Sequence, residues 1–319
     1  MSRYRRTILG TCCIPWNEDY TLAEDIFRDS IRHLIDQGLS DLYIFGTAGE
    51  GYAVSDRQFD HITRVFVEEM TSRQAEPMVG IISLSLATMI ERIERAAEMG
   101  VSAFQISLPS WGALSDTELF MFFREICARF PDLQFLHYNL MRARRYVTAE
   151  EYSILAAEHP NLVATKHGTG DLAVVTALME KAGRLRHFFT EASFGEASLL
   201  GECGYLISIA ATNPRRARQY FEAGVQQDVE KLVMLQRELK AMTEALMAAV
   251  GNEAHMDGAF DKIFSKIQDP RFPLHLLRPY QGASEAAFKR YRTVLRKEFP
   301  EWIDTSSAAP PAKSVRRPR

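Results

Sequence analysis

Short, mostly apolar segments alternate with longer amphipathic segments along this 319-residue chain as far as Ala210. Eight apolar segments stand at residues 7–14, 41–45, 78–82, 103–107, 134–138, 162–166, 185–190 and 206–210. Strands that are apolar on both faces are typical of parallel sheets, which helices cover on each side. Eight strands, each followed by a helix, predict an α/β fold, the (β/α)8 or TIM barrel. A doubly wound open sheet is the second candidate.

The helix starts support this alternation. A capping box pairs a Ser or Thr N-cap with Glu or Gln three residues later, and each side chain satisfies an orphan amide of the other. The pattern occurs at Thr21 with Glu24, Ser55 with Gln58, Ser115 with Glu118, and Thr148 with Glu151. Pro214, which follows Asn213, suits the first turn of a further helix.

The chain after the eighth apolar segment is helical in pattern and contains no convincing strand. We therefore expect a (β/α)8 barrel over residues 1–225 and a C-terminal helical extension over 226–304. The last segment, 305–319, is rich in Ser, Ala, Pro and Arg and is expected to be disordered.

Charge and cysteine content narrow the possible partners. The formal net charge is −3, which gives no electrostatic case for a nucleic-acid partner. No segment is apolar for long enough to span a membrane, and no apolar stretch after the basic N-terminus fits a signal peptide. Four cysteines stand without metal-ligand or disulfide-framework spacing. We expect a cytoplasmic protein with reduced thiols and no metal site.

Lys166 and Tyr138 each end a predicted strand, and the two strands are consecutive. Adjacent parallel strands lie about 4.8 Å apart, so the amine and the phenol are expected to meet at the barrel mouth. A partly desolvated lysine becomes a nucleophile, and a tyrosine beside it can transfer protons. Schiff-base chemistry on a keto acid requires this pair. Alternatively, Lys166 pairs with Glu50 or Asp171, and Tyr138 is an aromatic at the edge of the core.

The second predicted strand leads into the glycine-rich stretch GTAGEG at residues 46–51. Gly46 permits a tight turn, and the amides of Thr47 and Ala48 could form a nest for a small carboxylate. The Thr47 hydroxyl could pass a proton to Tyr138. The alternative is an ordinary loop between a strand and a helix.

Three motifs in this order resemble the dihydrodipicolinate synthase / N-acetylneuraminate lyase family of class I aldolases. They are GTAGEG (46–51), the Tyr-Asn pair (138–139) and KHGTGD (166–171), and the stretch 278–295 resembles the family's C-terminal helical region. The resemblance extends from about Thr7 to Phe299.

The resemblance implies an enzyme without metal or organic cofactor that acts on pyruvate or another 2-keto acid. By it, Lys166 forms the imine, Tyr138 is the acid and base, and Thr47 relays protons. The amides of Thr47 and Ala48 hold the substrate carboxylate, and the backbone near Ile207 contacts pyruvate. The family also implies a homo-oligomer, either a tetramer or a dimer.

Several positions depart from the family pattern. Ala48 replaces a threonine, so one hydroxyl is lost, and Trp111 stands where the synthases have a tyrosine that reaches a neighbouring subunit. Ala143 stands at the position of the arginine that binds the aldehyde substrate's carboxylate, and either of its neighbours, Arg142 or Arg144, could serve instead. Glu191, after the seventh strand, is expected either to accept hydrogen bonds from substrate hydroxyls or to face solvent.

These departures argue against a true dihydrodipicolinate synthase. They favour an aldolase or dehydratase for a 2-keto-3-deoxy sugar acid or a related 2-keto acid, with a pocket that Trp111 reshapes. The alternative is a catalytically impaired barrel that binds a keto acid as a sensor. His137 is expected to point away from Tyr138 by strand alternation, whereas His167 is a candidate to tune Lys166 or touch substrate.

Overall fold

The computed structural model describes residues 3–303. Its strands are β1 (Ile8–Thr11), β2 (Asp41–Ile44), β3 (Met78–Ile81), β4 (Ala103–Ile106), β5 (Gln134–Asn139), β6 (Leu162–His167), β7 (Arg186–Phe189) and β8 (Gly204–Leu206). They form a closed, fully parallel barrel in chain order, and β8 pairs with β1. The predicted (β/α)8 barrel is confirmed, and the open sheet is excluded because the ring closes.

Eleven α-helices accompany the barrel within residues 3–303. They are α1 (Glu24–Asp36), α2 (Asp56–Ser72), α3 (Leu86–Glu98), α4 (Asp116–Cys127), α5 (Ala149–Glu158), α6 (Leu172–Lys181), α7 (Phe194–Leu200), α8 (Pro214–Gln226), α9 (Val229–Val250), α10 (Asp257–Gln268) and α11 (Glu285–Glu298). The first eight follow the eight strands. The expected boundary at residue 225 falls at the end of α8, and the expected tail at 305–319 lies outside the described residues.

Three of the four expected capping boxes form, at the starts of α2, α4 and α5. The box at Thr21 is wrong, because α1 begins at Glu24 after Ala23 without a side-chain cap. The hydroxyl and amide of Thr21 instead both bond to Asp19 Oδ1, at 2.6 and 3.0 Å. A local turn of this kind competes with the helix start. Asn213 caps α8 as its sequence suggested, and Pro214 is the first residue of that helix.

The eighth strand is shorter and earlier than expected. The apolar run 206–210 contributes only Leu206 to β8, and Ile209–Thr212 forms a 3-10 turn. Conversely, β5 and β6 each continue one residue further than expected, to Asn139 and His167. The active-site mouth is therefore built from strand ends that differ slightly from the predicted ones.

The hydrophobic core has two parts, one inside the barrel and one between the strands and the surrounding helices. A small cluster fills the barrel interior: Tyr4, Leu9, Tyr43, Met78, Ala103, Leu136, Val163, Ala164, Phe188 and Leu206. A larger core lies between strands and helices and includes α9 to α11. Within the described chain, no helix combines the length and apolar character needed to cross a membrane.

Candidate active site

Lys166 points into the barrel mouth, directly beside Tyr138. The two residues are register partners on β6 and β5, so their side chains share the inner face. The Lys166 nitrogen lies 3.8 Å from the centre of the Tyr138 ring and donates hydrogen bonds to the Tyr43 hydroxyl (2.7 Å) and Gln105 Oε1 (3.1 Å). Lys166 is only 3% exposed. The structure thus brings together the amine and phenol that the sequence placed at neighbouring strand ends.

Among residues 3–303, the Lys166 amine has neutral hydrogen-bond partners and no counter-ion within ion-pair distance. Glu50 pairs with Lys262 (2.6 Å), and Asp171 caps α6 through the amide of Ala173 (2.9 Å), so the expected alternative of an ion pair with either carboxylate is wrong. Burial lowers the pKa of Lys166 to about 7, although Asp257 and Asp261 act in the opposite direction. A large fraction of the amine is therefore uncharged at neutral pH, which is the form that attacks a carbonyl.

Tyr138 is suited to donate a proton in the resting site. Burial raises the pKa of its phenol, and the side chain of Thr47 counteracts part of this rise. The phenol therefore remains protonated at neutral pH, with the buried Thr47 as a neighbour. This arrangement is consistent with the acid role expected for Tyr138 and the relay role expected for Thr47.

The loop after β2 approaches Lys166 closely because Gly46 has no side chain. A Cβ atom there would lie 2.6 Å from Cε2 of Tyr43 and 3.5 Å from the Lys166 nitrogen. The amides of Thr47 and Ala48 donate no hydrogen bond to any residue between 3 and 303. Two unused amides beside a nucleophilic amine can receive a carboxylate.

The side chains of Lys166 and Tyr138 and the loop at Ala48 open into one cavity of about 680 Å³. Helices α9 and α10 close one side of it, so the C-terminal region forms part of the site. Its lining includes Ala48, Tyr138, Lys166, Glu191, Ile207, Ser208, Lys240, Asp257 and Asp261. A second cavity of about 330 Å³ lies beside α1 and shares Thr11, Ile207 and Asp261 with the first.

Glu191 shapes the turn after β8. Its Oε1 accepts hydrogen bonds from the amides of Ser208 (2.8 Å) and Ala210 (3.0 Å) and from the hydroxyl of Tyr205 (3.2 Å). The side chain does not project into solvent, which removes one expected alternative. These bonds place Ile207 and Ser208 at the cavity wall, as the resemblance implied for Ile207.

Two predicted substrate contacts lie outside the cavity lining. Arg142 follows β5 and forms a two-pronged ion pair with Asp257, at 3.0 and 3.3 Å. A substrate carboxylate would have to share Arg142 with that aspartate. Trp111 lies in the loop after β4, is 83% exposed, and contributes nothing to the cavity of a single chain.

The histidines on β5, β6 and β7 face the surrounding helices rather than the barrel mouth. His137 pairs with the Tyr152 hydroxyl (2.6 Å), which confirms its outward orientation. His167 is fully buried and its Nε2 contacts the Thr165 hydroxyl (2.7 Å), so the expectation that it touches substrate is wrong. Thr165 also contacts His187 (2.6 Å), and burial lowers the pKa of all three imidazoles.

Sequence reasoning missed four polar residues of the site. Gln105 is a polar residue in the middle of the apolar strand β4, and Tyr43 lies two strands away, on the inner face of β2. Asp257 and Asp261 are one helical turn apart on α10 and share one face. The isolated glutamine and the paired aspartates were the signals available in the sequence. Among residues 3–303, no three His, Cys, Asp or Glu side chains converge as a metal site.

Comparisons with known proteins agree with this geometry. The model of the dihydrodipicolinate synthetase family matches residues 5–278. A 4-hydroxy-tetrahydrodipicolinate synthase of Thermosynechococcus vestitus is 23% identical over 290 residues, which cover 90% of this chain and 95% of that protein.

Solved structures show the same fold. The dihydrodipicolinate synthase of Bacteroides thetaiotaomicron superposes with a TM-score of 0.83 at 18% identity, covering 93% of this chain and 100% of that one. YagE of E. coli K12, a family member determined in complex with pyruvate, superposes with a TM-score of 0.82 at 17% identity, covering 92% and 98%. The comparisons give no support to a catalytically impaired barrel. The chain therefore belongs to the dihydrodipicolinate synthetase family and is a lyase of the class I aldolase type.

Proposed function

We propose that this protein forms a Schiff base between Lys166 and pyruvate or a 2-keto-3-deoxy acid, and makes or breaks a bond on the enzyme-bound imine. The observation that carries the proposal is the buried Lys166 amine, which has no counter-ion within the described part of the chain, a pKa of about 7 and a phenol ring 3.8 Å away. That combination suits an amine that attacks a carbonyl.

The residues present can perform each step of imine formation. The neutral amine of Lys166 attacks the C2 carbonyl while the amides of Thr47 and Ala48 hold the adjacent carboxylate. The protonated phenol of Tyr138 gives its proton to the carbinolamine hydroxyl, which leaves as water. The resulting protonated imine withdraws electrons from C3, so that a C3 proton or a C3–C4 bond can be lost.

The substrate class is part of the proposal. Ala48 offers an amide but no hydroxyl, and the ion pair with Asp257 occupies Arg142. Both features favour a 2-keto-3-deoxy sugar acid or a related 2-keto acid over the substrates of a dihydrodipicolinate synthase. Incubation with pyruvate and aspartate semialdehyde tests this point, because efficient condensation of the two would make the protein a synthase.

Borohydride trapping tests the mechanism. The protein is incubated with pyruvate and sodium borohydride, and the reduced adduct is mapped by peptide mass spectrometry. We expect it on Lys166 and expect none in Lys166→Ala. Lys240→Ala is the matched control, because Lys240 lines the same cavity from α9 and should leave the adduct unchanged. No adduct with any of several 2-keto acids, or an adduct that survives in Lys166→Ala, would refute the mechanism.

We also propose that the protein is a cytoplasmic homo-oligomer. Trp111 lies on a loop where the family resemblance implies a subunit contact, and its indole is 83% exposed in the single chain. The four buried free cysteines suit a reducing compartment. Light scattering should give the mass of a dimer or tetramer, and Trp111→Ser should lower it. A monomeric wild-type protein would contradict the proposal.

A further inference from the structure

Helix α10 delivers a carboxyl group, Asp261, that imine formation does not use. Asp261 lines the same cavity as Lys166 and Tyr138, and it also lines the smaller cavity beside α1. It therefore lies where the two cavities adjoin. The attack on the carbonyl, the proton transfer and the carboxylate contact described above all proceed without it, so this group is available for another step.

The position of α10 is fixed by its neighbouring residues. Lys262, next to Asp261, forms a fully buried ion pair with Glu50 of the loop after β2, and its nitrogen also donates to the carbonyl of His275 (2.7 Å). A Cβ atom at Gly258 would lie 3.0 Å from the carbonyl oxygen of Ala48, so this helix packs tightly on the loop. Asp261 is consequently held at the mouth by contacts on both sides of it in the helix.

The surroundings of Asp261 keep its carboxyl protonated. Burial raises its pKa to about 8, and the negative charges of Asp257 on the same helix and Glu191 after β7 act in the same direction. Lys166 and the Ser208 hydroxyl act in the opposite direction.

One thiol and two phenols that act on Asp261 are neutral, while the charged Lys262 beside it is paired with Glu50. Cys13, two residues after β1, and the phenols of Tyr43 and Tyr138 each have a raised pKa, with Asp261 among the causes. They are therefore neutral at pH 7. The Asp261 carboxyl thus lines the same cavity as the reacting amine as a proton donor, and the cavity is large enough for a sugar acid.

We propose that Asp261 is the acid that protonates the C4 hydroxyl of a 2-keto-3-deoxy acid bound as an imine on Lys166. The inference rests on the proposed function and deepens it. Cleavage of the C3–C4 bond needs a base at this hydroxyl, which the Tyr138 phenolate left by imine formation can supply, and it needs no acid there. Loss of water needs the hydroxyl oxygen to gain a proton, which Asp261 can give. An acid at this position therefore favours dehydration over cleavage.

The protons and electrons of this step balance. The Tyr138 phenolate, which formed when the carbinolamine lost water, removes the C3 proton. The C3–H electrons form the C3–C4 double bond, the C4–O bond breaks, and the hydroxyl leaves as water with the Asp261 proton. Hydrolysis of the imine frees the Lys166 amine and releases one proton, which restores Asp261. The net change is one molecule of water lost from the substrate.

The test uses the full-length protein and three probes: 2-keto-3-deoxygluconate, 2-keto-3-deoxygalactonate and 4-hydroxy-2-ketoglutarate. We expect at least one to yield an unsaturated 2-keto acid whose mass is lower by one water. Asp261→Asn should still form the pyruvate adduct on Lys166, which shows that it folds, and should lose dehydration at least about 100-fold. Activity of the wild type should fall as the pH rises through the pKa of Asp261, near 8.

Asp257→Asn is the matched control. Asp257 raises the pKa values of both Asp261 and Lys166, so its neutralisation should move both limbs of the pH–rate profile to lower pH. Three results would overturn the inference while leaving the imine intact: pyruvate and an aldehyde as the products, no loss of water from any probe, or wild-type dehydration by Asp261→Asn. Failure of the proposed function is distinct, because the wild type would then form no adduct at all.

Discussion

Replacement of Lys262 by methionine should lower the free energy of unfolding by about 3–5 kcal/mol, because it leaves a buried carboxylate without its counter-charge. Glu50 and Lys262 are both 0% exposed, and their charged atoms are 2.6 Å apart. Glu50 keeps two neutral donors, the Trp16 indole at 2.9 Å and the Leu277 amide at 2.6 Å. They stabilise the carboxylate only in part, so we expect the lower half of that range.

Thermal and urea unfolding followed by circular dichroism measure the loss. For a chain of this size the expected decrease in Tm is about 4–6 °C, from the average unfolding entropy per residue. Lys181→Met is the matched control, because Lys181 pairs with Glu150 at 2.5 Å while both side chains are more than half exposed. An exposed pair contributes about 0–1 kcal/mol.

The double variant Glu50→Gln/Lys262→Met should recover much of the lost stability, because no charge then remains buried. Burial lowers the pKa of Lys262, whereas Glu50 raises it, so the argument depends on the pair being charged. If Lys262→Met were no more harmful than Lys181→Met, the pair would be uncharged in the folded protein and the reasoning would be refuted.

Three further predictions concern the amine and its neighbours. The rate of pyruvate trapping should rise with pH and be half-maximal near the Lys166 pKa of about 7, since only the neutral amine attacks; a midpoint near 10 in stopped-flow trapping would show that burial does not lower this pKa. Tyr138→Phe should still form the borohydride adduct, more slowly, and lose about 100-fold or more in turnover; unchanged turnover would remove Tyr138 from the mechanism. Gly46→Ala should slow adduct formation without unfolding the protein, because the added Cβ would lie 2.6 Å from the Tyr43 ring and displace it from Lys166; trapping kinetics and circular dichroism together check this, and wild-type kinetics would contradict it.

The sequence was sufficient to predict the barrel and the meeting of Lys166 with Tyr138, because both depend on local periodicity and on the common direction of parallel strands. It was insufficient for the turn after β8. The apolar run 206–210 has the composition of a strand, but Glu191, distant in the sequence, takes up the amides of Ser208 and Ala210 and favours a 3-10 turn. A tertiary hydrogen bond of this kind leaves no trace in the run itself.

Asp261 shows the same limit at the site. Helical spacing places Asp257 and Asp261 on one face, but periodicity does not say whether that face meets solvent or a cavity. The ion pair of Lys262 with Glu50 decides it, because it orients α10 against the loop after β2. For Trp111 the sequence predicted a pocket residue, but the side chain is exposed in the single chain. This exposure does not test a pocket that a neighbouring subunit would complete.

The imidazoles behind β5, β6 and β7 give this barrel an acid limit that is independent of its chemistry. His137, with a pKa lowered to about 3, His187, with a pKa lowered to about 4, and His167 are all held neutral in the wall. The unfolded chain protonates each near pH 6.5, so stability is full above that pH and decreases as the pH falls towards the folded values. In that interval each histidine lowers the free energy of unfolding by about 1.4 kcal/mol for each pH unit of acidification, and the three together lower it by about 4 kcal/mol per pH unit. In a compartment that acidifies, the barrel would therefore unfold cooperatively, because these three histidines become protonated.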